Sequence, residues 1–288
     1  MRDIMAVEPA TLPATKKSRP LSGLSKEMMS KAMRDVRDGL RTWRIWWLLG
    51  IGDIRQRYAR SRLGQFWITL SMGIFVFAIG SIYGLLFGQP IHQFLPYVAA
   101  NFVAWTLISG VVTDSCTTFI QSDKILRQEA LPKTVFVMRI LVRNFVILLH
   151  NLIIVPIAFI VVLKWPSLTL LLVPIGLFIV ALAGFFTGLL LGLLCARFRD
   201  LPLIVQNLIQ VIFFITPIVW PADVIRGRAG LLIDLNPFAA FLHVVSQPLL
   251  GRVPSLSTYL MTFGMVVILA AIAVPLFARF RARIVYWL

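Results

Sequence analysis

The chain has 288 residues, of which 59% are hydrophobic and 14% charged, and its formal net charge is +16. Soluble domains carry about a quarter charged residues, so this composition excludes an ordinary water-soluble globule and points to an all-α polytopic membrane protein, whose apolar runs of about 20 residues cross a ~30 Å hydrocarbon layer. Cys116 and Cys195 read as unpaired buried thiols, and His92, His150 and His243 share no spacing with them, which leaves no disulfide framework and no metal-ligand pattern.

Residues 1–24 mix Pro, Ser, Thr, Lys and Arg without an apolar period and read as a disordered basic tail rather than a signal peptide. Residues 25–64 read as amphipathic interfacial helices. Met29, Met33, Val36 and Leu40 fall at helical spacing among Lys26, Lys31, Arg34 and Arg37, which suits an anionic leaflet. Trp43, Trp46 and Trp47 are interfacial residue types, and Arg55, Arg57, Arg60 and Arg62 are too dense for hydrocarbon. The chain therefore turns into the bilayer near Gly64.

Six spans are predicted in the transmembrane region 65–288, at about 66–87, 97–119, 137–163, 168–196, 201–220 and 259–278. Pro156, Pro174, Pro217 and Pro275 are expected to kink or locally break them. Gly176, Gly184, Gly188 and Gly192 stripe one face of the fourth span, allowing close packing on another span of this chain or on a second copy. The region 221–257 is partly apolar, yet Phe238–Val245 is too short to cross. It reads as a re-entrant helical hairpin packed against protein, with a surface-lying amphipathic helix as the alternative.

Basic residues set the direction. With both termini in the cytoplasm, 24 Lys and Arg lie inside and 4 outside. The charge is thus a topology signal, and a nucleic-acid partner is not expected. Asp114, within the second span, should be paired, and Arg139 and Arg143 begin the third at similar depth. A structural ion pair is the favoured reading and a proton relay the alternative. No G-x-x-x-x-G-K-[ST] occurs, so the chain is not expected to hydrolyse ATP alone, and neither a nucleophile elbow nor a zinc motif is present.

Three stretches carry a family resemblance. "GIGDIRQRYARSRLGQFW" (50–67), "ARFRDLP" (196–202) with "LIQVIFFITPIVWP" (208–221), and "LNPFAAFLHVVSQPLLG" (235–251) together resemble the membrane subunits of type-2 ABC exporters of bacterial surface polysaccharide. Two positions differ from the common pattern: Gly52 precedes Asp53 where arginine is commoner, and Val245-Ser246-Gln247 stands where an arginine often precedes Pro-Leu-Leu-Gly.

The resemblance implies a subunit of the bacterial inner membrane that works as a homodimer on a separate ABC ATPase. No cofactor belongs to this chain, since ATP and Mg would sit on the partner. The implied cargo is an undecaprenyl-pyrophosphate-linked polysaccharide such as O-antigen. Teichoic acid, capsule or another amphipathic lipid is the alternative within the class.

"QSDKILRQEALPKT" is longer than a turn needs and suits a short helix from about Ser122 to Ala130, capped by Ser122 or Asp123 and ended before Pro132. In the resembled family this is the coupling helix that meets the ATPase, here through Lys124, Ile125, Leu126, Arg127 and Glu129, with Arg199 and Asp200 as a second contact. The residues alone would equally suit an amphipathic loop helix on the leaflet. Arg55, Arg57, Arg60 and Arg62 are candidates for anchoring or for meeting the lipid pyrophosphate. Phe66, Trp67, Phe75, Tyr83, Phe102 and Trp105 are candidate channel aromatics, because sugar C–H faces pack on aromatic rings; the plain alternative for each is lipid or core.

Two other classes compete. A secondary carrier would want more membrane acids, and a membrane-embedded glycosyltransferase would want an acid cluster, whereas this chain offers chiefly Asp53 and Asp114. A neighbouring gene for an ATPase subunit discriminates between these and the exporter.

Overall fold

The structure, a computed structural model, describes residues 26–59, 61–163, 165, 167–221 and 235–288. The basic tail, Arg60 and residues 222–234 of the expected hairpin lie outside them. Every regular element among the described residues is helical.

Two helices precede the spans, α1 (Lys26–Arg41) and α2 (Trp43–Tyr58), separated at Thr42, whose hydroxyl donates back to the Asp38 and Gly39 carbonyls. Then come α3 (Phe66–Leu86), α4 (Ile91–Thr117), a 3₁₀ turn at Ile120–Ser122 and the short α5 (Asp123–Gln128). α6 (Thr134–Leu152) and α7 (Ile154–Val161) make one continuous crossing. The break between them falls at Ile153, three residues before Pro156, whose ring crowds the Leu152 carbonyl and supplies no N–H for it. A 3₁₀ turn (Leu168–Leu172) leads into α8 (Val173–Arg197), with Pro174 in its first turn, so this proline opens a helix instead of kinking one. α9 (Leu201–Ile215), α10 (Pro237–Leu249), α11 (Leu256–Phe280), a 3₁₀ turn (Arg281–Arg283) and α12 (Ile284–Trp287) complete the chain.

Five helical runs among the described residues are long and apolar enough to cross a membrane: Phe66–Leu86, Ile91–Thr117, Thr134–Val161, Leu168–Arg197 and Leu256–Trp287. The second starts at Ile91, earlier than expected, with Pro96 accommodated inside the helix. The expected span at 201–220 differs. α9 has 15 residues, about 22 Å of helix, which falls short of a ~30 Å core. Its end has a local cause, because the residue before proline is pushed from helical angles; Thr216, before Pro217, sits at φ −90° and ψ 137°. In the non-helical stretch that follows, two carbonyls are paired with α4. The Tyr97 hydroxyl lies 2.7 Å from the Pro217 carbonyl and 2.8 Å from that of Trp220, and Asn236 Nδ2 donates to Thr216 Oγ1.

α4 is the central post, 72% buried across its most apolar window against 22–39% for the other four. α10 packs on α4, α8 and α11, and Ala239, Phe241, Leu242, Val244 and Val245 are buried. That removes the surface-lying alternative for this helix. The glycine stripe on α8 turns out to serve this chain's own helices. A Cβ at Gly176 would run into the Val244 carbonyl oxygen, and at Gly184, Gly188 and Gly192 it would meet Val111, Val137 and Phe119. The stripe therefore seats α4, α6 and α10 against α8.

Candidate functional site

Three helices meet in a buried ion network near the basic end of the bundle. Arg139 and Arg143 stand one turn apart on α6 and so share a face. Arg139 makes a fork to Asp53 on α2, with Nε donating to Oδ2 at 2.8 Å and Nη2 to Oδ1 at 2.5 Å. Arg143 Nε donates to Asp114 Oδ2 at 3.1 Å, its Nη2 lies 2.8 Å from the same oxygen, and its Nη1 reaches Asp53 Oδ2 at 3.5 Å. Asn144 Nδ2 adds a donor to Asp114 Oδ2 at 2.8 Å. The side chains are only 6% (Arg143) to 26% (Asp114) exposed, so each charge depends on its partners.

Close backbone approach makes the network possible. At Gly50 on α2 a Cβ would sit 2.9 Å from the Arg139 carbonyl oxygen. The expected pairing of Asp114 with α6 is present, through Arg143. Asp53 as the partner of Arg139 was missed. Its signal was visible all the same: two arginines at one depth need a second acid, and Asp53 stands alone in a cationic helix.

The network reaches the loop helix. Arg139 Nη1 donates to Ser122 Oγ at 3.3 Å, and Ser122 Oγ donates to the Thr118 carbonyl at 2.9 Å. Ser122 is buried and its side chain does not cap α5, nor does Asp123, which pairs with Arg127 at 2.6 Å. The helix is also shorter than expected. Its last residue is Gln128, and Glu129 is already extended at φ −119° and ψ 134°.

Leu126 is buried in a cluster with Ala32, Phe119, Phe136 and Ile284. That corrects its expected role: it anchors α5 from within and cannot face a partner. Ile125 is half-buried, while Lys124, Arg127, Gln128 and Glu129 are exposed. Arg199 and Asp200 are exposed on the turn between α8 and α9, and α12 touches both α8 and α5, which puts the two candidate contacts at one end.

α1 is docked on this end rather than merely floating on a leaflet. Asp35 accepts from the Lys133 and Thr134 backbone N–H groups at 3.2 and 3.1 Å, capping α6 from another helix, and takes Arg281 Nη1 at 3.1 Å. Thr134 Oγ1 donates to the Asp35 carbonyl at 2.8 Å. Burial holds the Lys133 ammonium below the ordinary lysine range, partly offset by Asp35, while Arg281 adds to the depression.

The remaining candidates divide. Arg55, Arg57 and Arg62 are exposed, and Arg62 lines a cleft with Gln65, Phe66 and His150. Phe66, Trp67 and Phe75 on α3 are exposed, and Tyr83 is half-buried. Phe102 and Trp105 are each 6% exposed and pack on Phe213 in the interior, so within one protomer they are core, not channel lining.

Residues 45–250 match the family described as ABC-2 type transporter. Among similar curated proteins, the O-antigen export system permease protein RfbA of Myxococcus xanthus is 24% identical over 195 residues, covering 66% of this chain and 74% of its own. A permease of the same name from Klebsiella pneumoniae is 26% identical over 194 residues with the same coverage.

Proposed function

The chain belongs to the ABC-2 type transporter family, and from that premise we propose that it is the transmembrane subunit of an ATP-driven exporter of an undecaprenyl-pyrophosphate-linked, O-antigen-like surface polysaccharide. Two copies form the conduit in the bacterial inner membrane, both termini face the cytoplasm, and a separate ABC ATPase docks at the basic end. The O-antigen export role of the similar permeases supports the cargo class. The excess of Lys and Arg on one side of the predicted topology supports the direction. We read α9 and α10 as the two arms of a re-entrant sixth element, supported by the Pro217 and Trp220 carbonyls being hydrogen-bonded to Tyr97 inside protein.

The observation that carries this reading is the link from α5 to the spans. α5 is fixed below by Leu126, shows Lys124 and Arg127 outward with Glu129 exposed just past its end, and is preceded by Ser122, which is bonded to Arg139. Arg139 holds Asp53 on α2, and Arg143 joins Asp53 to Asp114 on α4. A load applied to α5 therefore reaches α2, α4 and α6 through paired charges that are costly to separate. We read Arg55, Arg57 and Arg62, exposed before the start of α3, as the candidates for meeting a lipid pyrophosphate.

The test is charge reversal of the exposed face. Lys124→Glu combined with Glu129→Lys should leave the chain in the membrane while surface polysaccharide and co-purification of the ATPase both fall. Full export and full co-purification in that variant would reject α5 as the contact.

A further inference from the structure

Past α11, residues 281–288 turn under the basic end of the bundle and meet three separate elements there. Arg281 Nη1 lies 3.1 Å from Asp35, which also accepts from the first N–H groups of α6, so α1 is tied to the segment at its start. Ile284, which opens α12, is fully buried in the cluster that holds Leu126 of α5. Trp287 is half-buried, with the Arg197 guanidinium 5.5 Å from its ring centroid and the Phe280 ring at 5.7 Å. Arg197 is the last residue of α8, just before the exposed turn that carries Arg199 and Asp200.

This placement matters because α5 is too short to hold its own position. It has six residues and one buried side chain, Leu126, whereas isolated helices below about 12–15 residues are marginal in water. Ser122 ties the start of α5 to Arg139, and α12 packs against its body. A fully buried side chain such as Ile284 fills space that nothing else occupies, so truncating it leaves a cavity beside Leu126. The turn after α8 has the same support, since Trp287 meets the residue from which it departs. Both candidate ATPase contacts thus rest on one short piece of chain.

We propose that residues 281–288 are the positioning element of the ATPase-docking surface. Ile284 seats α5, Trp287 seats the turn after α8, and Arg281 ties both to α1, so the two contacts keep a fixed spacing and move as one body. The inference rests on the exporter reading for what docks there and adds which residues hold the docking surface in register. None of the three side chains meets the partner itself; they act through Leu126, Arg197 and Asp35.

The test follows amide hydrogen exchange in the chain, complexed with its ATPase in lipid nanodiscs, beside complementation of a deletion strain. In Ile284→Ala, exchange across α5 and the turn at 198–200 should quicken about tenfold while α3 and α10 keep their rates. Trp287→Ala, at a half-buried site that disturbs folding less, should quicken the turn, and Trp287→Phe should restore it by keeping a ring under Arg197. In both alanine variants the surface polysaccharide delivered per ATP hydrolysed should fall about fivefold. Tyr286→Ala changes a neighbouring ring that is 87% exposed and should alter neither reading. Unchanged exchange in both alanine variants, or quickening spread equally over α3 and α10, overturns the positioning role, as does local quickening with undiminished export. A deletion strain that never lost its polysaccharide removes the exporter reading instead, and the exchange rates then judge the segment alone.

Discussion

Asp53, Arg139, Arg143 and Asp114 carry most of the argument at the residue scale. Removing one member of a buried ion pair leaves an uncompensated charge and costs about 3–5 kcal/mol, more than replacing both members. Asp114→Leu should therefore lower thermal stability in detergent sharply, and Asp114→Leu/Arg143→Leu should recover part of the loss. Arg139→Lys keeps the charge but loses the fork to Asp53, since a lysine offers a point charge and not two parallel donors. That variant should keep membrane levels and ATP hydrolysis by the complex while export falls several-fold. Of these four residues, the pairing of Asp114 with α6 was legible from depth in the bilayer. The partner of Arg139 was marked only by Asp53 being the lone acid of a cationic helix, and the approach of that helix to α6 depends on a glycine contact that no spacing rule reveals.

Elements were legible where the apolar period was long and less so where backbone chemistry intervened. α3 and α8 lie close to their expected places, whereas α9 stops short because Pro217 forces Thr216 into extended geometry. The glycine stripe was visible as a pattern, but its partner was not, since a small-residue face fits any helix; only the packing shows that it seats α4, α6 and α10. Gly176→Ala should loosen α8 from α10, because its Cβ would meet a backbone carbonyl that cannot rotate away, whereas Gly264→Ala has open space around it. Limited proteolysis of the α10 region should quicken in the first variant alone. Gly251→Ala should cost about 1 kcal/mol through its positive φ, the nearest atom being an unhindered 3.5 Å from the new methyl. α5 belongs to the same scale. Its existence was readable from loop length and Pro132, but the inward turn of Leu126 was not, as a six-residue helix has too little period to declare a buried face.

On the scale of the whole molecule, composition settled the membrane class, and basic asymmetry supplied a direction for it. The architecture then separates two ends of one central helix: a charged, ion-paired end that holds α1, α5 and α12, and a cleft about α10 lined by amides and by His92 and His243. Membership in the ABC-2 type transporter family implies an ABC ATPase partner, and on the proposed reading the energy for movement enters through it. The most direct measurement is surface polysaccharide in cells that carry this chain with its ATPase partner either intact or disabled for hydrolysis by a single Walker-motif substitution. Export only with the intact partner is the predicted result; undiminished export with the disabled one would contradict the account.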